Sequence, residues 1–194
     1  MLLAMSLFAL SMSISPGPVN LVSFTAASNY GFYRAFIFVS GATIGFTLLL
    51  ICIGLGASQL HHLLPMVIRY ISYAGTAFIA WMGFKIVTSA LQLGSDDDQA
   101  PQFFHGFLLQ WLNPKAWIAC LAGVSAFGLT ASYARLLAFV SLYFVICYLS
   151  MTLWAWAGKQ MQRLIDRPAA IGWLNRTMGT LLLLIAGYLG WSAV

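Results

Sequence analysis

Six times along the chain a run of roughly twenty mostly apolar residues recurs, at about 2–27, 33–57, 65–89, 103–126, 133–157 and 173–193. A helix of about 20 apolar residues crosses the hydrocarbon core of a bilayer. Only 7% of the residues are charged and 61% are hydrophobic. A soluble domain carries roughly a quarter charged residues, so this chain has too few to clothe a water-facing surface. It reads as an all-α integral membrane protein with six transmembrane helices. The connections are too short to hold a second domain, so residues 1–194 form one membrane domain. The opening run lacks a basic n-region and an A-x-A-like cleavage site and reads as a retained span, not a signal peptide.

The basic residues are unevenly spread. Arg34, Lys85, Lys159, Arg163, Arg167 and Arg176 fall on one side of the predicted spans, and Arg69 and Arg135 on the other. Positive loops stay in the cytoplasm. The bias therefore predicts both termini outside, in a multi-pass protein of the bacterial cytoplasmic membrane. The basic stretch 158–176 reads as a topology signal facing lipid headgroups, not as a nucleic-acid surface.

Two of the six runs are interrupted. The first holds "SISPGPVN", with Pro16-Gly17-Pro18, and the fourth holds "LNPKA", with Asn113-Pro114-Lys115. Proline removes a backbone donor and breaks a helix. Asn is a strong N-cap and Pro is favoured at the first helical position. Each break thus predicts a half-helix that starts inside the membrane. Its free N–H groups and partial positive charge suit an anion such as a carboxylate. Lipid cannot satisfy such groups, so the breaks should face protein or a wet cavity.

A repeat relates the halves. "GTAFIAWMGF" in span 3 gives Gly75-Thr76 and Gly83-Phe84, and "GTLLLLIAGY" in span 6 gives Gly179-Thr180 and Gly187-Tyr188. Each half, about 1–91 and 103–194, holds a broken span, a whole span and a glycine-marked span. Three spans per half invert the second half, which is a common plan for secondary transporters. Gly75, Gly83, Gly179 and Gly187 are expected at helix contacts. So are Gly41 and Gly45, whose spacing permits close approach within the chain or across a homodimer.

Lys115 is the only basic residue placed mid-span. All four carboxylates, Asp96, Asp97, Asp98 and Asp166, fall in connections. A charge at mid-depth costs about 2.5–3.5 kcal/mol on insertion scales. Lys115 is therefore expected to face an aqueous cavity and meet the anionic end of a substrate. If protons are coupled to transport, it is the one obvious titrating group in a span. Lys85, at a span end, reads as a snorkelling anchor.

Other reactive residue types read as ordinary. Cys52, Cys120 and Cys147 sit in separate spans with no metal or redox spacing and read as packing. His61 and His62 are adjacent and share no helix face, and His105 starts a span, so no metal is expected. Trp111, Trp117 and Tyr143 read as interfacial belt and packing. No H-E-x-x-H, paired carboxylate or Ser-His dyad supports an enzyme, and no cofactor is expected.

"PGPVNLV", "NYGFYRA", "GATIG", "AGTAFIAWMGFK", "FFHGFLLQWLNPKAW" and "LNRTMGTLLLLIAGYL", in that order and spacing, resemble the LysE/RhtB family of bacterial inner-membrane amino-acid exporters. The resemblance runs over nearly the whole chain. It implies export of amino acids or derivatives such as lysine, arginine, threonine, homoserine, leucine or cysteine, driven by the proton-motive force without ATP. It also implies importance for Pro16, Gly17, Pro18, Asn20, Gly41, Gly45, Asn113, Pro114 and Lys115. Members often carry Asp or Asn directly after Pro-Gly-Pro, where this chain has Val19, which leaves Asn20 to take over part of that role.

The reading is thus a secondary transporter for a small zwitterion, with Pro16, Gly17, Pro18, Asn20, Asn113, Pro114 and Lys115 at its site. An acid-free site leans toward neutral substrates. Asn20 and Asn113 are expected to orient the substrate or to cap helices. A thiol-redox carrier is the first alternative, and it would need cysteines at the breaks. A passive channel is the second, and it would need rings of polar or carbonyl groups.

Overall fold

The computed structural model describes residues 1–60, 64–88, 100–164 and 168–192. His61, His62, Asp96, Asp97, Asp98, Asp166, Arg167, the side chain of Arg163 and the end of the first repeat near residue 91 lie outside the described residues. The helices are α1 (Leu2–Ile14), α2 (Pro18–Tyr30), α3 (Phe32–Leu60), α4 (Leu64–Thr88), α5 (Phe103–Trp111), α6 (Pro114–Ala126), α7 (Tyr133–Leu164) and α8 (Pro168–Ser192).

Proline chemistry sets both interruptions. Ser15 takes φ −63° and ψ 138°, the extended backbone that a following proline imposes. Gly17 is extended too, and Pro18 opens α2 at its first position. The two half-helices turn by 59°. On the other side Asn113 caps α6, its side chain accepting from the Lys115 N–H at 3.1 Å, and Pro114 follows at the first position. A positive φ of 85° at Gly31 turns the chain from α2 into α3, a conformation that an L side chain rarely adopts.

Three segments, Phe32–Gly56, Tyr133–Met161 and Ala170–Trp191, are long and apolar enough to cross a membrane singly. The bent pair α1–α2 meets the same length and composition criteria when its two helices are taken together. α4 and the α5–α6 pair are more polar: α4 carries Arg69 and Lys85, and the α5–α6 pair carries Gln110, Asn113 and Lys115.

α4 lies along α8 and α3 along α7, while α3 packs on α5 and α6 and α7 packs on α1 and α2. Small residues set the closest approaches. A methyl at Gly41 would overlap the Phe103 carbonyl, and one at Gly45 would stand 2.9 Å from the Phe107 carbonyl oxygen, so these glycines seat α3 on α5. A methyl at Gly83 would come within 3.1 Å of the Gly179 carbonyl oxygen, and one at Gly179 within 2.7 Å of the Gly83 carbonyl oxygen. Gly75 faces the Leu112 carbonyl at the α5–α6 break. Gly187 departs from expectation. It lies on the outer face of α8, where an added methyl meets nothing within 4 Å, so it is not a packing position within the chain.

The core between these helices is aromatic and aliphatic. Phe38, Leu49, Leu50, Ile79, Leu109, Phe139 and Tyr143 are fully buried. Leu3, Tyr70, Leu137, Trp173, Leu184 and Trp191 are exposed on the outside. An apolar exterior around a packed interior fits a bilayer solvent, in which outward Leu and Trp carry no cost.

Candidate functional site

A helix that ends inside a membrane leaves carbonyls without partners. At the end of α1 side chains take those of Met12, Ser13 and Ile14, the first of them from the Ser15 hydroxyl at 3.2 Å. Asn20 Nδ2 donates to the Ser13 carbonyl at 3.0 Å and to the Ser15 carbonyl at 2.8 Å. The Trp154 indole donates to the Ile14 carbonyl at 3.1 Å. Lys115 Nζ donates to the Ser15 carbonyl at 3.0 Å, the Ser15 hydroxyl at 2.8 Å and the Pro16 carbonyl at 3.4 Å. The ammonium thus meets the negative end of α1 in place of an acid. Hydrogen bonds to a charged group contribute about 1.5–3 kcal/mol each, so two of them match the insertion cost of a mid-depth lysine. Gly17 makes room for this: a Cβ there would stand 3.2 Å from Lys115 Nζ.

The two helix starts differ. α6 is closed by the Asn113 side chain and by the Asn113 carbonyl, which accepts from the Ala116 N–H at 2.9 Å. α2 has no side-chain cap, and its first backbone bond runs from the Leu21 N–H to the Gly17 carbonyl at 3.0 Å. The amides of Val19 and Asn20 precede that bond.

A cavity lies between the breaks. Ser13, Gly17, Val19 and Asn20 line it from α1–α2, and Gln110, Asn113, Lys115 and Ala116 from α5–α6. Phe46 of α3 and Tyr143, Cys147 and Met151 of α7 close it. Its room is about 40 Å3, enough for two or three waters and less than a whole amino acid. A bound solute needs a larger cavity than this conformation offers.

Of the residues expected at the site, Gly17, Asn20, Asn113 and Lys115 line this cavity together. The prolines do not. Pro16 is exposed, and Pro18 and Pro114 are buried in the breaks they shape. The family model for LysE type translocators matches residues 10–193. The chain belongs to the LysE type translocator family.

Both breaks and all the residues that line the cavity lie inside the LysE match. Among known LysE-related proteins, the "Cysteine/O-acetylserine efflux protein" of Escherichia coli O157:H7 is 29% identical over 166 residues, which cover 81% of this chain and 82% of that protein. The protein of the same name from Escherichia coli strain K12 gives the same figures. No solved structure matches the chain.

Three residues of this LysE chain that were expected in packing are buried as expected and lie at the cavity or its break. Tyr143, expected in a belt or in packing, is fully buried and faces the cavity. Cys147, expected in packing, also lines it, with its sulfur 4.0 Å from that of Met151. Trp117 is buried at the break, its indole donating to the Trp111 carbonyl at 2.8 Å. Gln110 and Ser13 were not foreseen at all; the one available signal is a polar residue about one turn ahead of each break. A second hollow, with room of about 60 Å3, opens between α2, α4 and α5. Asn29, Lys85 and His105 line it, and the Lys85 ammonium stands 5.0 Å from the centre of the Trp81 ring.

Proposed function

We propose that this chain exports a small neutral amino acid or amino-acid derivative across the bacterial cytoplasmic membrane. One observation carries the reading. The uncapped start of α2 and the Lys115 ammonium converge on a single cavity whose described lining holds no acid. The substrate carboxylate meets that positive end. A cationic side chain finds no counter-charge there and stays in water. The relatives' names, cysteine and O-acetylserine efflux proteins, point the same way.

In this reading the fold is two inverted repeats of three spans each, α1–α2, α3 and α4 against α5–α6, α7 and α8. The pairing of α3 with α7 and α4 with α8, and the exchange of broken pairs between halves, support it. α4 and α5–α6 complete the six spans, with both termini outside. The halves rock about the cavity to open it alternately. Lys115 acts as the latch between them. It reaches from the start of α6 to the end of α1, and an entering carboxylate competes with the Ser15 and Pro16 carbonyls for it. Occupancy thereby loosens one half from the other. The proton-motive force supplies the energy, with Lys115 the titratable cation in the lining.

Cells overproducing the chain test this. Cysteine, O-acetylserine or serine is expected to accumulate severalfold in the medium, and the Lys115→Gln variant, at equal membrane levels, is expected to remove the excess. No change in any extracellular amino acid contradicts the reading.

A further inference from the structure

Two buried polar side chains face the central cavity without serving either break. Gln110 is only 3% exposed, lies on α5 and lines the cavity. Among the described residues, no hydrogen bond ends on its carboxamide. Ser13 is 7% exposed and lines the same cavity from α1, and its buried hydroxyl faces the Tyr143 hydroxyl and the Cys147 thiol without reaching good hydrogen-bond geometry to either. Buried polar groups nearly always have partners, so such orphans need a reason. The other polar groups nearby are engaged: Asn20 and Lys115 hold the end of α1, and Asn113 caps α6. What remains around Gln110 and Ser13 is the Phe46 ring, the Met151 thioether, the Tyr143 hydroxyl and the Cys147 thiol.

We propose that Gln110 and Ser13 receive the polar group of the substrate's side chain, a hydroxyl, thiol or ester. They, and not Lys115, then select which small neutral amino acid is carried. This rests on the reading of the cavity as the transport site. The carboxamide can donate to an ester or hydroxyl oxygen and accept from a hydroxyl or thiol, and the serine hydroxyl can do either. Both residues precede their breaks, on α1 and α5, whereas the carboxylate end is held by α2 and Lys115. The two ends of a short zwitterion are thus held by different halves of the broken helices. A site built to bond a polar group rejects the analogue that lacks it, because its own buried groups are then left unpaired.

The test uses the purified full chain in liposomes, with labelled L-serine and L-alanine supplied together. The two differ by one hydroxyl. The wild type is expected to favour serine, and Gln110→Met, which keeps the volume and removes the bonds, is expected to cut the serine-to-alanine ratio about tenfold. The ratio does not depend on how much protein is active. Ser13→Ala is expected to lower it in the same direction, and it serves if Gln110→Met does not reconstitute. An unchanged ratio in both variants overturns the proposal, as does loss of both substrates in equal proportion. Lys115→Gln is expected to depress both substrates and leave the ratio as it was. If Lys115→Gln has no effect while the ratio still falls in Gln110→Met, the carboxylate site is wrong and the side-chain site stands. A wild type that moves neither amino acid removes the transport reading itself.

Discussion

The Lys115 ammonium donates to the Ser15 hydroxyl at 2.8 Å, although 100 residues separate the two in the chain. One lysine at the start of a half-helix in the second half of the protein completes the end of a half-helix in the first. The contact joins the two breaks and sets the positive edge of the cavity between them. It also removes the need for a carboxylate partner, since backbone carbonyls at a helix C-terminus carry the complementary charge.

Asn20 shares that task, and its removal should be felt as instability. Asn20→Leu keeps the volume but withdraws both donors from the Ser13 and Ser15 carbonyls. A buried group left unsatisfied costs about 1–3 kcal/mol. The variant is expected to melt several degrees below wild type in detergent, as followed by fluorescence-detected size exclusion. An unchanged melting temperature would show that water replaces the amide there.

Gly41 and Gly187 form a matched pair for a second prediction. Gly41→Ala drives a methyl into the Phe103 carbonyl, whereas Gly187→Ala points one into open space. Overpacking of this kind costs about 1–3 kcal/mol, while Gly→Ala in a helix is neutral or favourable by up to about 1 kcal/mol. Thermal unfolding of the two purified variants should therefore shift in opposite directions, or only Gly41→Ala should shift. Equal destabilisation would mean that Gly187 is packed against a second copy of the chain.

These residues show what the sequence made visible. The breaks were legible because Pro16, Pro18 and Pro114 cannot sit inside a helix, and Asn113 and Gly17 are residues that start one. The partner of Lys115 was not, because a backbone carbonyl has no letter of its own. Tyr143 and Cys147 were hidden for another reason: α7 is apolar nearly all round, so composition does not say which side faces a cavity. The glycine repeat suggested equivalent contacts in the two halves. Instead Gly83 meets Gly179, Gly75 meets the α5–α6 break and Gly187 faces outward.

The thiols supply a third prediction. A redox carrier needs two cysteines that meet and exchange. Here Cys52 is exposed on α3, and Cys120 and Cys147 are buried and free. A cysteine-free variant, Cys52→Ser with Cys120→Ala and Cys147→Ala, is expected to retain export within a few-fold of wild type in the overproducing cells. Complete loss, with the protein still in the membrane, would return thiol chemistry to consideration.

The carboxylate site is tested most directly by competing L-serine against L-serinamide, in which a neutral amide replaces the carboxylate, in proteoliposomes carrying wild type or Lys115→Gln. The two solutes share every group except the carboxylate. Wild type is expected to take serine at least tenfold better than the amide, and Lys115→Gln to lose most of that preference. Equal uptake of acid and amide by the wild type would contradict the account, because no part of the cavity would then be reading the negative end of the substrate.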